Sequence, residues 1–158
     1  MQGRLAVWFL LASLAWAVRP AVAQNVVVAQ PAGQEHTLDL AAVRQLPAVE
    51  VRVSFLTGHG TEQATYTGPL LWSVLERAGE VEGDPRTRLR RTVAVTGRDG
   101  YVAVLALAEI DPDFEGKQVI VAYQRDGQPI PGDALRLVVP GDRRGGRSVR
   151  DVVRIEVR

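Results

Sequence analysis

The stretch RTVAVTGRDGYVAVLAL, residues 91–107, decides the fold class of this chain. Two Val-rich segments flank the triplet Arg98-Asp99-Gly100. An Asp-Gly pair between such segments is a strong signal for the tight turn of a β-hairpin. The stretch therefore predicts two antiparallel strands joined by a short turn.

Extended segments recur on both sides of this hairpin. VEVRVSF (49–55) alternates apolar and polar residues, which predicts a strand with one buried face. TLDLAAVRQLP (37–47) predicts a short strand or turn and then a helical turn that Pro47 ends. Further strands are predicted at NVVVAQ (25–30), EQATYTG (62–68), QVIVAYQ (118–124), LRLVVP (135–140) and DVVRIEV (151–157).

One segment changes to helical periodicity. In GPLLWSVLERAGE (68–80) the apolar residues recur at helical spacing, with Pro69 predicted at the first helical position and Gly79 at the C-terminal stop. The next segment, EGDPRTRLR (82–90), is predicted to be a charged loop whose arginines are screened at the surface by EVEGD (80–84). Because helices and strands do not alternate strictly, we predict an α+β fold: a compact domain with mixed or antiparallel sheets and few helices.

The first 23 residues are predicted to be a secretory signal peptide. Arg4 precedes an apolar run of 14 residues, and Ala21-Val22-Ala23 has the form of a cleavage site, so we expect cleavage before Gln24. An uncleaved anchor is the alternative, although a bilayer span usually takes about 20 apolar residues. No twin arginine precedes the run, so we expect general export to a periplasmic or secreted location. Residues 24–158 would then form a single domain.

Composition argues against several classes of function. Without residues 1–23, 17 basic and 18 acidic residues remain, and this balance gives no reason to expect nucleic-acid binding. No second apolar stretch could span a membrane, so no membrane association is expected after cleavage. The chain has no cysteine, which removes thiol nucleophiles and thiolate ligands. The acidic run at 111–116 begins like a calcium loop, but Ala122 stands where that loop needs a bidentate Glu, and no metal site is predicted.

Two features of the sequence are suited to binding an anion. GDRRGGRSVRDV (141–152) places four arginines among three glycines, and Arg can bind phosphate, sulfate or carboxylate with two parallel hydrogen bonds. His59 lies in TGHGT (57–61), where the flanking glycines let backbone approach a ligand closely. A solvated turn and a surface histidine are the alternatives. No serine lies in a hydrolase motif and no nucleotide-binding loop is present, so the catalytic residues stay unknown.

Three segments in this order resemble the molybdopterin-binding domain of the sulfite oxidase family. The first is YTGPLL (66–71), which is similar to the family's aromatic-x-G-x-x-L segment before a helix. The second comprises DGY (99–101) and DGQPI (126–130), which resemble the family's D-G-Y and D-G-x-P-L turns. The third is LRLVVPG (135–141), followed by GRSVR (146–150) and a closing RIEV strand (154–157). The resemblance covers roughly residues 36–158 and implies a sulfite-oxidase-like fold.

The resemblance also implies a site. In the family, a Gly-Arg-x-Val-Lys segment grips the phosphate of the molybdenum-pterin cofactor, which maps onto Arg147, Ser148 and Arg150 here. Asp151 stands where the family has Trp. Catalytic members bind molybdenum through a cysteine after the strand matching VRVSFL, where this chain reads SFLTGHGTEQ (54–63) without one.

Two functional hypotheses follow. The first is an exported, non-catalytic relative that has lost the metal and whose cleft binds a small anion or a periplasmic protein partner through His59, Arg147 and Arg150. No cofactor is expected in that case, although the resemblance makes molybdopterin possible. The alternative is a periplasmic molybdopterin-dependent oxidoreductase of the oxo-transfer type, with the metal held by pterin alone or by a non-Cys ligand.

Overall fold

The computed structural model describes residues 24–29, 33 and 35–158, and the predicted signal peptide lies outside these residues. The hairpin predicted at residues 91–107 is present as β5 and β6, joined across the Asp99-Gly100 turn. The strands are β1 (Asn25–Ala29), β2 (Glu35–Asp39), β3 (Ala48–Thr57), β4 (Gly60–Pro69), β5 (Thr92–Gly97), β6 (Val102–Ala106), β7 (Ile120–Ala122), β8 (Gln124–Arg125), β9 (Gln128–Pro129), β10 (Arg136–Val138) and β11 (Val152–Val157). The helices are α1 (Leu40–Gln45), α2 (Leu71–Arg77), α3 (Pro85–Arg88) and α4 (Leu107–Ile110).

The hairpin forms one edge of a mixed five-stranded sheet. Its strand order is β2-β1-β11-β5-β6, in which β1 and β11 are parallel and the other neighbours are antiparallel. The inner face carries fully buried residues such as Val93, Val95 and Ile155, which pack against α2 in the larger of two apolar clusters. The predicted α+β class with mixed and antiparallel sheets is confirmed.

The second part of the fold is a long hairpin with its own apolar cluster. β3 and β4 pair over their whole length, and β8 and β9 extend this antiparallel sheet to the order β3-β4-β8-β9. The separate pair β10-β7 packs against it. Phe55, Tyr66 and Ile120 are among the residues that fill the space between them. The alternation seen in VEVRVSF is the reason that β3 buries one face and exposes the other.

The start of α2 differs from the prediction. The helix begins at Leu71, and Pro69 is the last residue of β4 rather than the first residue of the helix. The strand continues to this point because Ala48 pairs with Pro69 at the end of the β3-β4 ladder. The predicted stop at Gly79 is confirmed, since the helix ends at Arg77 and Gly79 has a positive φ of 75°.

The sequence predicts that the arginines of RTRLRR (86–91) lie at the surface, screened by nearby acids. The structure corrects this prediction, because Arg88 is buried. Asp84 caps the short helix α3, which carries Arg88 into a buried position. Arg88 Nε donates to Asp111 at 2.6 Å, and the Asp111 side chain is fully buried. Asp113 accepts a second hydrogen bond from the same guanidinium. Asp111 and Asp113 are therefore the ion-pair partners of Arg88. The acidic run that begins like a calcium loop in the sequence thus has a structural role. Among the described residues, no helix is long and apolar enough to cross a membrane.

Candidate functional site: an arginine-lined cleft

A cleft of about 490 Å³ opens where the end of β3 meets the loop of residues 141–148, and we call it the arginine cleft. Three of its lining residues are arginines and two are carboxylates. It is lined by Phe55, Leu56, Thr57, Gly58, Glu62, Asp99, Tyr101, Arg136, Arg144, Gly145, Gly146, Ser148 and Arg150. The residues come from four separate parts of the sequence, so the site exists only in the folded chain.

Backbone contacts fix the loop against β3. Leu56 N donates to the carbonyl oxygen of Arg143 at 3.0 Å, and Leu56 and Arg144 form an isolated parallel bridge. Gly145 lies so close to Phe55 that a Cβ atom there would come within 2.7 Å of the ring. Only glycine permits this approach, and the close packing forms one wall of the cleft.

Among the described residues, two arginines of the cleft form no direct ion pair. No ion pair within the described part of the chain involves Arg144 or Arg150, and both residues are exposed. Asp99, the acid nearest the turn, instead accepts a hydrogen bond from the backbone N–H of Tyr101 at 3.0 Å. The Tyr101 hydroxyl donates to the carbonyl oxygen of Gly146 at 2.6 Å and so connects the β5-β6 turn with the loop. The mouth of the cleft thus presents unpaired positive charge.

The floor of the cleft is a buried charged cluster. Arg136 Nη1 lies 3.3 Å from Glu62 Oε1, and the Arg136 guanidinium stacks on the Tyr66 ring at 5.0 Å. The Tyr66 hydroxyl donates to the same Glu62 oxygen at 2.8 Å. Burial and this hydrogen bond raise the pKa of Tyr66 to about 12, so the phenol stays protonated.

Glu62 carries the negative charge of this cluster. Burial alone would raise the pKa of Glu62, but the hydrogen bond from Tyr66 and the charges of Arg136, Arg125 and Arg150 outweigh burial and lower it. The carboxylate is therefore ionised at neutral pH. It forms ion pairs with Arg136 and Arg125 and also interacts with the charge of Arg150, so Arg144 and Arg150 are the cleft arginines without a direct ion pair among the described residues.

The sequence predicted Arg147 at the anion site, but the structure pairs its side chain with two carboxylates. Its guanidinium donates two hydrogen bonds of 2.7 and 2.9 Å to Asp142 and two of 3.0 and 3.4 Å to Glu109. The hydrogen bond to Asp142 raises the pKa of Arg147, against the opposing effect of burial. Its side chain is not among the residues that line the cleft. Arg147 ties the loop to α4, so its anion-binding role stays a prediction that the geometry does not favour.

The other predicted residues divide into two groups. Ser148 and Arg150 both line the cleft, while their role in binding a cofactor phosphate stays a prediction. His59 is exposed in the turn between β3 and β4, where its backbone N–H donates to Thr57 Oγ1, and its neighbour Gly58 lines the cleft while His59 does not. The structure therefore brings together two of the four predicted residues.

Sequence reasoning missed Arg136 and Glu62. Arg136 lies in the apolar stretch LRLVVP, and an arginine inside a buried strand requires a partner, which is a signal that could have pointed to it. Glu62 had no comparable signal, because nothing in EQATYTG distinguishes it from a surface residue on a half-exposed strand. Arg144 belongs to the quoted arginine cluster but was not singled out.

The donor atoms near the cleft do not fit a molybdenum ion held by a protein thiolate. The chain has no cysteine, and Thr57 Oγ1, at the C-terminal end of β3, already donates to Gly60 O at 2.9 Å and accepts from His59 N. Within the described residues, no group of three or more His, Asp or Glu side chains could hold a metal.

Comparison with known proteins agrees with the resemblance in the sequence. The family model described as "Oxidoreductase molybdopterin binding domain" matches residues 20–158. A search of curated proteins finds no significant match. Among solved structures, the sulfane dehydrogenase SoxCD from Paracoccus pantotrophus superposes with a TM-score of 0.64 at 15% sequence identity, over 84% of this chain. The match spans 37% of the SoxCD chain, and at this identity it shows a shared fold. Because the family model covers most of its residues, this chain belongs to the oxidoreductase molybdopterin-binding domain family.

Proposed function

We propose that this protein is an exported, non-catalytic member of its family whose arginine cleft binds a small anion. The observation that carries the proposal is that Arg144 and Arg150 line one cavity and neither forms a direct ion pair among the described residues. Two guanidinium groups at one cleft favour a bidentate oxyanion such as sulfate, phosphate or a carboxylate. The absence of a thiolate donor supports the non-catalytic part of the proposal. A periplasmic protein partner stays a prediction.

The anion site can be tested by calorimetric titration of the purified protein with sodium sulfate at low ionic strength. Arg150→Ala and Arg144→Ala should each weaken binding about tenfold or more, because each removes a charge-assisted hydrogen-bonding group worth about 1.5–3 kcal/mol. Arg143→Ala is the matched control: it removes the same charge from the same loop, but Arg143 does not line the cleft. A wild-type protein without sulfate affinity, or equal losses in all three variants, would contradict the proposal.

A second candidate function is a molybdopterin-dependent oxidoreductase of the oxo-transfer type. The family match over residues 20–158 favours it. Expression of the full-length chain in a host that makes the cofactor, followed by elemental analysis and fluorescence of oxidised pterin, separates the two candidates. Stoichiometric molybdenum and pterin in the purified protein would overturn the non-catalytic proposal. Protein that carries neither, yet binds sulfate through Arg150, would support it.

A further inference from the structure

A second cavity lies next to the arginine cleft and shares two of its residues. It has a volume of about 470 Å³, and we call it the Tyr66 pocket. It is lined by Tyr66, Arg125, Ile130, Pro131, Ala134, Arg136, Arg150 and Asp151. Arg136 and Arg150 also line the arginine cleft, so these two side chains form the boundary between the cavities.

The Tyr66 pocket combines an apolar wall with positive charge. Ile130, Pro131 and Ala134 contribute the apolar side, and each of the three is a partly or fully exposed residue on the segment after β9. The pocket's one acid facing this wall, Asp151, is already bound by Arg98 at 2.7 Å and by the Gln24 amide at 3.1 Å. An unpaired cation and an apolar surface therefore face the same space.

Arg136 supplies an independent sign of a ligand. The residue is only 9% exposed, and its Nε atom is buried without a hydrogen-bond partner. The ion pair between Arg136 and Glu62 uses Nη1. A buried N–H group without a partner costs free energy comparable to a lost hydrogen bond, so native structures rarely leave one unsatisfied. Arg136 lines both cavities, as does Arg150, so the side chain that carries this unpaired N–H group stands at their boundary.

We propose that the ligand is an organic carboxylate with an aliphatic chain. Its carboxylate binds at the boundary, against Arg136 and Arg150, and its chain occupies the Tyr66 pocket along Ile130 and Ala134. An inorganic oxyanion would satisfy the cations but leave the apolar wall in contact with water, whereas a neutral apolar molecule would leave the cations unpaired. This inference rests on the proposed anion site, with which it shares Arg150, and adds the class of ligand.

The experiment is a calorimetric series with sulfate, acetate, butanoate and hexanoate at pH 7 and fixed ionic strength. Each methylene that becomes fully buried should tighten binding about fourfold, so affinity should rise from acetate to hexanoate. Ala134→Phe fills the pocket and should remove this rise while leaving sulfate affinity unchanged. Ala41→Phe, at an exposed position of α1 outside both cavities, is the matched control. Ile130→Ser, which makes the wall polar, serves as a second variant and should reduce the rise per methylene.

The outcomes separate the two proposals. Sulfate binding with equal affinity for all three carboxylates would overturn the aliphatic-chain inference and leave the anion site standing. If affinity still rises with carboxylate chain length in both Ala134→Phe and Ile130→Ser, the aliphatic chain binds elsewhere and the inference is also overturned. Absence of any sulfate or carboxylate binding would overturn both proposals.

Discussion

Gly68 lies in the YTGPLL segment at a position where the fold leaves no room for a side chain. A Cβ atom built on Gly68 would lie 2.7 Å from Ala122 Cα and 2.8 Å from the Val121 carbonyl carbon, and it would lie closer still to the Val121 carbonyl oxygen. Non-bonded carbon atoms normally stay about 3.5–4.0 Å apart, so Gly68→Ala requires a displacement of at least about 0.8 Å. All the contacted atoms belong to the backbone of β7, and no rotamer change can relieve them.

The cost of this substitution is set by moving two packed strands apart. Inserted carbon atoms in well-packed interiors usually cost about 1–3 kcal/mol, and the upper end applies here because Gly68 and all three residues of β7 are buried. For a chain of this length, about 3 kcal/mol corresponds to a fall in melting temperature of about 6–12 °C. Thermal unfolding followed by circular dichroism measures it directly.

A control substitution separates this steric effect from a general effect of replacing glycine. Gly58→Ala introduces the same methyl group at a position with nothing within 4 Å and no positive φ, so its melting temperature should stay within about 2 °C of wild type. If Gly68→Ala also melts within 2 °C of wild type, the close approach of β4 to β7 is refuted as the reason for glycine in this segment.

Leu75→Ala should lower the free energy of unfolding by about 2–5 kcal/mol in urea denaturation, because Leu75 is fully buried in the larger cluster, whereas Glu76→Ala on the exposed side of α2 should change it by less than about 0.5 kcal/mol. The hydrogen bond from Arg147 lowers the pKa of Asp142 below its ordinary 3.8, so the unfolded state binds the proton more readily. The stabilisation is present above pH 3.8 and is lost as pH falls through the folded-state pKa; Asp142→Asn should therefore flatten the acid side of the stability curve, and an unchanged curve would contradict this. Arg147→Ala should accelerate amide hydrogen exchange in residues 141–148 without comparable acceleration in β5, since Arg147 ties this loop to α4; uniform acceleration throughout the domain would argue against a local tether.

The site shows why only part of it could be predicted. Ser148 and Arg150 follow a recognisable segment, and the structure places both at the cleft. Arg147 belongs to the same segment, but its direction depends on Asp142 and Glu109, and Glu109 is 38 residues away in the sequence. Which arginine of a cluster faces a cavity and which binds a carboxylate is decided by partners that the local pattern does not contain.

The sequence by itself determined the fold class, the main helix and most of the strands, whereas β9 and the short helix α3 lie in segments predicted as a turn and a loop. Residue alternation and the Asp-Gly turn depend on neighbours along the chain, and the hairpin β5-β6 follows from them directly. The tertiary structure alone decided how these parts combine. Pairing of β1 with β11 joins residues more than 120 positions apart, and the Glu62-Arg136 pair joins β4 to β10 across 74 positions. Such contacts are set by the packing of whole sheets, because an isolated segment contains no information about the distant surface that will cover it.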